Sequence, residues 1–349
     1  RVLAALAVGD LHPVARLEGA PAQGARLVHR RKARPGRTTD DLSHPPPTVG
    51  AMSNSSVSPS VSPSVSPSVS PSVSPSVGEP AAEPVDPPLA LSPSRVADFK
   101  ACPLLYRYRA IDRLPEPPSP QALRGTLVHT VLERLFDVPA PRRTPDHARE
   151  LAAAGLAEML ADEPEVAELV GETDEAAQQW LADTAALLDR YFTLENPQLL
   201  EPAERELLVE VPLDADVVVK GIIDRVDVAP GGEVRIVDYK SGRAPSPLFE
   251  QRALFQMRVY ALLVWRQSGR IPDMLQLIYL SDSQIVRLEP QEDDLRALEK
   301  TLRALAAAIS KARETGDFRP SPSRLCDWCQ HRALCPAWGG TSPPYPASA

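Results

Sequence analysis

Apolar side chains recur at regular spacings from about Leu91 onward, and their periods predict an order of helices and strands. Ser92 followed by Pro93 is typical of a helix start, and the apolar residues after it predict a first helix that continues through Tyr108. The helical period returns at residues 122–136, twice within 146–195, and at 248–267 and 290–316. Runs rich in β-branched residues predict strands at 207–213, 217–228, 234–240, 274–280 and 284–288. The resulting order is α-β-β-β-α-β with one added strand and helix, and residues 145–200 are predicted to form a helical insertion.

The first 90 residues lack this periodicity and are predicted to be a disordered, low-complexity region. The tetrapeptide V-S-P-S repeats from Val57 to Val77, and proline at every fourth position favours an extended, solvated linker. Met52 is a candidate translation start, in which case residues 1–51 would not be translated. The folded domain is expected at residues 91–340 and a flexible tail at 341–349.

Composition and charge narrow the class of protein. The 349 residues have room for one or two domains, and a formal net charge of -8 argues against coating nucleic acid by bulk electrostatics. Local basic patches and metal-mediated phosphate binding remain compatible with that charge. The sequence contains no apolar run long enough to span a membrane and no secretory signal, so we expect a cytoplasmic protein without a membrane partner.

The predicted hairpin at 217–240 carries charges that an apolar core would not contain. Asp224 lies in its first strand, and Asp238 and Lys240 lie near the end of the second, spaced so that their side chains share one face of the sheet. Two carboxylates on neighbouring strands form a hard oxygen site for a divalent cation, and a nearby lysine suits phosphodiester hydrolysis. A surface hairpin with ion pairs is the alternative, because D-x-K alone is common. Glu204 or Glu206 opens the strand before this hairpin, and either could be an accessory carboxylate, although solvated edge charges fit their position better.

Three more polar residues lie in mostly apolar helical segments. His129 is typical of a hydrogen-bonded core histidine, but Gly125 one turn earlier would let another segment approach this helix closely. Gln256 and Tyr260 are four residues apart and share a helix face. Core packing explains Tyr260, whereas Gln256 calls for a polar partner.

The four cysteines of the chain are expected to form one metal or cluster site. They are Cys102, Cys326, Cys329 and Cys335, the last three spaced C-x2-C-x5-C within the segment 320–338. In a cytosolic chain this clustering favours metal ligation over disulfides, and four thiolates suit either zinc or an iron-sulfur cluster. Because Cys102 lies at the domain start and the others at its end, losing the cofactor should loosen the whole fold.

Six short motifs in order give the chain from about Leu91 to Trp338 a family resemblance. They are L-S-P-S-R with F-K-A-C-P-L-L-Y, R-G-T-L-V-H, G-I-I-D-R-V-D, I-V-D-Y-K-S-G, Q-M-R-V-Y and the C-x2-C-x5-C tail. The chain resembles the RecB-type branch of the PD-(D/E)XK nuclease superfamily, including members with a four-cysteine iron-sulfur cluster. The resemblance implies a restriction-endonuclease-like αβββαβ core: a central mixed sheet flanked by helices, with a C-terminal iron-sulfur clasp.

The resemblance also implies roles for individual residues. Mg²⁺ or Mn²⁺ would be bound by His129, Asp224, Asp238 and the backbone carbonyl of Tyr239, and Lys240 would be the catalytic lysine. Gln256 and Tyr260 match the Q-x3-Y motif, which helps to position DNA or that lysine. The four cysteines match the [4Fe-4S] ligands, with structural Zn²⁺ as the alternative.

A DNA nuclease is therefore the predicted function, and by resemblance a single-stranded DNA exonuclease in repair or recombination. The sequence has no G-x4-G-K-[ST] phosphate loop, so any helicase partner would be separately encoded. The alternative is a non-catalytic module that binds DNA ends or a helicase while retaining the nuclease fold. Such a module would have lost catalytic residues, and each motif position here is filled.

Overall fold

The computed structural model describes residues 88–171, 173–246 and 250–346. The predicted N-terminal linker and the candidate start at Met52 lie outside these residues, apart from the last few positions before Leu91. None of the helices in the described ranges is long and apolar enough to cross a membrane.

A six-stranded mixed sheet forms the centre of the described domain. Its strands are β1 (Leu89–Leu91), β2 (Glu204–Pro212), β3 (Val217–Val228), β4 (Val234–Lys240), β5 (Met274–Tyr279) and β6 (Gln284–Leu288). The order across the sheet is β1-β3-β4-β5-β6, and β2 also pairs with β3. β1–β3 and β4–β5 are parallel, whereas the other pairs are antiparallel.

Two different strands pair with the same edge of the long strand β3. β2 pairs along residues 218–226, so β1 and β4 both lie on the opposite edge, at 217–219 and 225–228 respectively. The intervening residues 220–224 therefore have no strand partner on that edge. Asp224 is the last residue of this gap, at the point where β3 and β4 separate.

Helices cover both faces of the sheet. They are α1 (Pro93–Ala101), α2 (Pro103–Tyr106), α3 (Pro120–Arg134), α4 (Pro145–Asp162), α5 (Ala167–Val170), α6 (Asp174–Leu194), α7 (Glu250–Ser268) and α8 (Glu292–Thr315). Helices α1, α7 and α8 pack on one core, which includes Ile236, and α3, α4 and α6 pack on a second core, which includes Val237 and Tyr239. Successive residues of β4 thus enter opposite cores, as the two-residue period of a strand requires. This arrangement confirms the predicted αβββαβ order, its added strand and helix, and the flanked mixed sheet.

Three local features differ from the expectations. The predicted first helix is broken at Cys102, whose backbone is extended because Pro103 disfavours a helical residue before it. Strand β1 was not predicted, since three residues carry too little pattern and are held by pairing with β3. The tail expected to be flexible from residue 341 is packed in its first part: Ser342 contacts the Tyr108 hydroxyl, and the hydroxyl of Tyr345 donates to a helix α8 carbonyl.

Candidate active site

Asp224 closes the gap between β3 and β4 with its side chain. The ladder between the two strands begins only at Arg225↔Val237, and Asp224 Oδ2 instead accepts a hydrogen bond from the backbone amide of Tyr239 at 2.7 Å. The carboxylate, 10% exposed, thereby replaces a missing ladder contact. Irregular pairing of this kind re-aims side chains and is frequent beside active sites.

Asp238 and Lys240 lie one strand period apart on β4 and contact each other. Lys240 Nζ is 2.7 Å from Asp238 Oδ2 and donates to Gln256 Oε1 at 3.1 Å. The Gln256 amide donates in turn to Asp238 Oδ1 at 3.1 Å and to the Tyr260 hydroxyl at 2.7 Å. Gln256 therefore has the polar partner that was predicted for it, namely the ion pair of Asp238 and Lys240.

Gly221 explains how Tyr260 comes so close to the sheet. A Cβ at this position would lie 2.7 Å from the Tyr260 ring, which is closer than atoms can approach. The absence of a side chain therefore lets helix α7 place Tyr260 against β3, three residues before Asp224.

His129 reaches the same site from helix α3. Its Nδ1 lies 3.4 Å from Asp224 Oδ2, and its ring packs edge-on against the Tyr239 ring with centroids 6.3 Å apart. Burial alone would lower the pKa of His129, but the hydrogen bond and the charge of Asp224 outweigh burial and raise it. The histidine is thus held beside a carboxylate and is not enclosed in an apolar core.

Glu206 is a functional candidate that the sequence analysis placed among solvated edge charges. It lies on β2 between the pairs Arg205↔Arg225 and Leu207↔Ile223, so the register sets it opposite Asp224. Its backbone has φ +44, a left-handed conformation that is costly for a residue with a side chain. Ligand atoms of His129, Glu206 and Asp224 all lie within 4.8 Å of one another. Only the strand register could have revealed this contact, because Glu206 has no motif of its own.

The electrostatics of this cluster favour a bound cation. Burial raises the pKa of Glu206 to about 7 and that of Asp238 to about 6, and in each case the charge of Asp224 adds to the shift. Lys240 opposes the shift of Asp238 without cancelling it. The carboxylates of Glu206 and Asp224 thus converge beside the His129 imidazole, and the charge of Asp224 also acts on Asp238 with its Lys240 partner. Carboxylate oxygens gathered in this way suit a hard divalent cation.

This arrangement predicts that Asp238→Asn stabilises the metal-free protein at neutral pH. The folded pKa of about 6 exceeds the unfolded value of about 3.9, so ionised Asp238 destabilises the fold above pH 6, and its protonation removes that cost as the pH falls towards 4. In thermal melts with EDTA, we expect the variant to melt above the wild type at pH 7.5 and the difference to shrink at pH 5. A variant that melts below the wild type at pH 7.5 would contradict the assigned environment of Asp238.

The four cysteines converge on one cavity between α1, α2 and the C-terminal segment. Cys102, Cys326, Cys329 and Cys335 all line it. Burial raises the pKa of Cys329, and the nearness of the other three thiols adds to the effect. Backbone amides of Ser321 and Ser323 donate to the sulfurs of Cys102 and Cys326 at 3.4 and 3.3 Å. The cavity thus joins the first helices of the domain to its end.

Asp224, Asp238 and Lys240 thus lie on neighbouring strands of a mixed sheet flanked by helices, and His129 reaches them from helix α3. The sequence matches the PD-(D/E)XK nuclease superfamily over residues 90–336, and the chain belongs to that superfamily. Enzymes of this superfamily use divalent metals to hydrolyse phosphodiester bonds.

Two solved structures are similar to this chain at low sequence identity. A Eubacterium rectale protein provisionally named an exonuclease is 16% identical, with a TM-score of 0.45 over 69% of this chain and 87% of its own. The protein SSO0001 is also 16% identical, with a TM-score of 0.34 over 73% and 90% of the two chains. No curated protein sequence matches the chain.

Proposed function

We propose that this chain is a divalent-metal-dependent DNA nuclease of the RecB type that degrades single-stranded DNA from its ends, in repair or recombination. The observation that supports the proposal best is the pair of contacts where β3 and β4 separate: His129 beside Asp224, and Lys240 beside Asp238, with the charge of Asp224 acting on Asp238. DNA as the substrate, and attack from ends, rest on the resemblance of the sequence motifs.

The residues present fit Mg²⁺ or Mn²⁺. Asp238 is 1% exposed, and its Oδ2 has only the Lys240 ammonium beside it, so a buried carboxylate oxygen keeps lone pairs for a cation. We propose that His129, Asp224, Asp238 and the Tyr239 carbonyl hold the ion and that Glu206 supplies a further carboxylate beside it. An imidazole among oxygen ligands favours Mn²⁺. When bound, the ion would polarise a phosphate oxygen and lower the pKa of a water molecule.

Lys240 is positioned to act on the reacting phosphate. Its ammonium has three protons: it donates one to Gln256 Oε1, and it forms an ion pair with Asp238. A proton is thus left for the attacking water or for the negative charge that develops on phosphorus. Gln256, itself held by Tyr260, fixes the lysine in this orientation.

The cysteine cavity is proposed to hold a [4Fe-4S] cluster. All four thiols line this cavity, and the amide donors at Cys102 and Cys326 suit cluster sulfurs. Structural Zn²⁺ is the alternative, because four thiolates suit a tetrahedral zinc site as well.

Linear and circular single-stranded DNA of the same sequence test whether the protein requires a DNA end. With Mn²⁺ or Mg²⁺, we expect the purified protein to degrade the linear strand to short products while the circle stays intact. Cleavage of the circle at a comparable rate would show endonuclease action and overturn the exonuclease assignment. Absence of cleavage of either substrate, with both ions tested, would contradict the nuclease proposal itself.

A further inference from the structure

Tyr239 contacts two of the proposed ligands of the ion and directly follows a third. Its backbone amide donates to Asp224, its carbonyl is itself a proposed ligand, and its ring packs against His129. It follows Asp238 directly in the chain. A shift of this one residue would therefore move its own carbonyl and Asp238 relative to Asp224 and His129, so what holds Tyr239 in place matters for ion binding.

A buried arginine on the opposite face of the sheet from Gln256 holds Tyr239. Arg225 is 1% exposed, and its guanidinium donates to the Tyr239 hydroxyl. The same guanidinium donates to Glu195 at 2.8 and 3.0 Å in a two-pronged contact, and its Nε donates to Asp227 at 3.2 Å. A charge this deeply buried persists only when such partners surround it.

Glu195 brings the helical insertion into this network. It is the residue that ends helix α6, and its carboxylate also accepts from the Gln276 amide of β5 at 3.1 Å. The chain from α6 thus meets β3, β4 and β5 at one buried carboxylate. Arg225 follows Asp224 directly in the chain, just as Tyr239 follows Asp238. The network therefore fixes the residue that comes directly after each of the two proposed aspartate ligands.

We infer that Glu195, Arg225 and the Tyr239 side chain are positioning residues through which the helical insertion sets the geometry of the cation site. The inference rests on the proposed function. The three groups do not reach the ion and act only by fixing the backbone of β4 beside Asp224. Residues of this kind around metal ligands typically change metal affinity by about 10- to 100-fold when substituted.

The test measures Mn²⁺ binding to the full chain by titration calorimetry, without DNA, for Tyr239→Phe, Glu195→Gln and the double variant. We expect each single variant to bind Mn²⁺ about 10-fold more weakly. Because both act through Arg225, the double variant should lose much less than the product of the two losses. Tyr239→Phe keeps the ring contacts, so it stays informative if Glu195→Gln melts early.

Matched controls separate positioning from general stability. Tyr345→Phe removes a tyrosine hydrogen bond outside the network, and Glu201→Gln removes the carboxylate partner of another buried arginine, Arg143. Both controls should keep wild-type Mn²⁺ affinity. Wild-type affinity in Tyr239→Phe and Glu195→Gln, or losses that simply multiply, would overturn the inference. If Asp238→Asn also binds Mn²⁺ normally, the proposed cation site itself is wrong.

Discussion

Replacing Lys240 by alanine should abolish DNA cleavage while leaving Mn²⁺ binding undiminished, whereas Asp238→Asn should abolish both. In the proposed site, Lys240 would donate a proton beside the reacting phosphate, and its contact with Asp238 Oδ2 would compete with the cation, so its loss should remove catalysis without removing a ligand. Asp238→Asn removes a buried anionic oxygen that the ion needs. We expect each variant to lose at least about 100-fold in cleavage rate, since loss of a single transition-state donor costs about 100- to 1,000-fold.

The measurement uses end-labelled single-stranded DNA with saturating Mn²⁺, followed over time on a sequencing gel. Lys220→Ala is the matched control, because this lysine lies on the same sheet but pairs with Glu210 near the surface. The control should cleave at the wild-type rate. Degradation by Lys240→Ala and Asp238→Asn at the control's rate would remove these residues from the active site.

Loss of the proposed cluster should lower the melting temperature of the whole domain. Joining Cys102 to Cys326 closes a loop of roughly 220 residues, which by chain entropy corresponds to about 5 kcal/mol of stabilisation. For a domain of this size that is a decrease of about 10–20 °C in Tm when the connection is lost. We therefore expect Cys335→Ser, purified without oxygen, to melt well below the wild type and to lack its brown colour and absorbance near 400 nm.

A cluster-free preparation of the wild type provides the control for this effect. If the stability comes from the bound group, Cys335→Ser should not melt below the cluster-free wild type. A Cys335→Ser protein that keeps the full wild-type Tm would contradict the clasp. A colourless wild-type protein with one bound zinc ion would support the four-cysteine site but would show that zinc occupies it in place of the cluster.

Residues that follow a simple period were accessible from the sequence alone. Asp238 and Lys240 are two residues apart on a strand, and Gln256 and Tyr260 are four apart on a helix, so each pair had to share a face wherever the chain folded. The structure brings these four together in one hydrogen-bonded group. His129 has no partner at a fixed strand or helix spacing, and only the order of the sequence motifs indicated its role.

Features that depend on long-range register could not be predicted in this way. Glu206 meets Asp224 only because β2 and β3 pair with one particular register, and its left-handed backbone conformation leaves no trace in the sequence. The contact between Glu195 and Arg225 joins residues 30 positions apart and requires the end of α6 to lie against the sheet. A charged residue in a sequence does not reveal which buried partner the fold will bring to it.

We propose that His129, Asp224 and Asp238 together hold a divalent ion. The most direct test is anomalous diffraction at the manganese edge from crystals of the protein soaked in MnCl₂. We predict a single strong peak within bonding distance of all three side chains and of the Tyr239 carbonyl, absent from Asp238→Asn crystals. A peak elsewhere, or no peak at a site where the three residues are well ordered, would contradict the account.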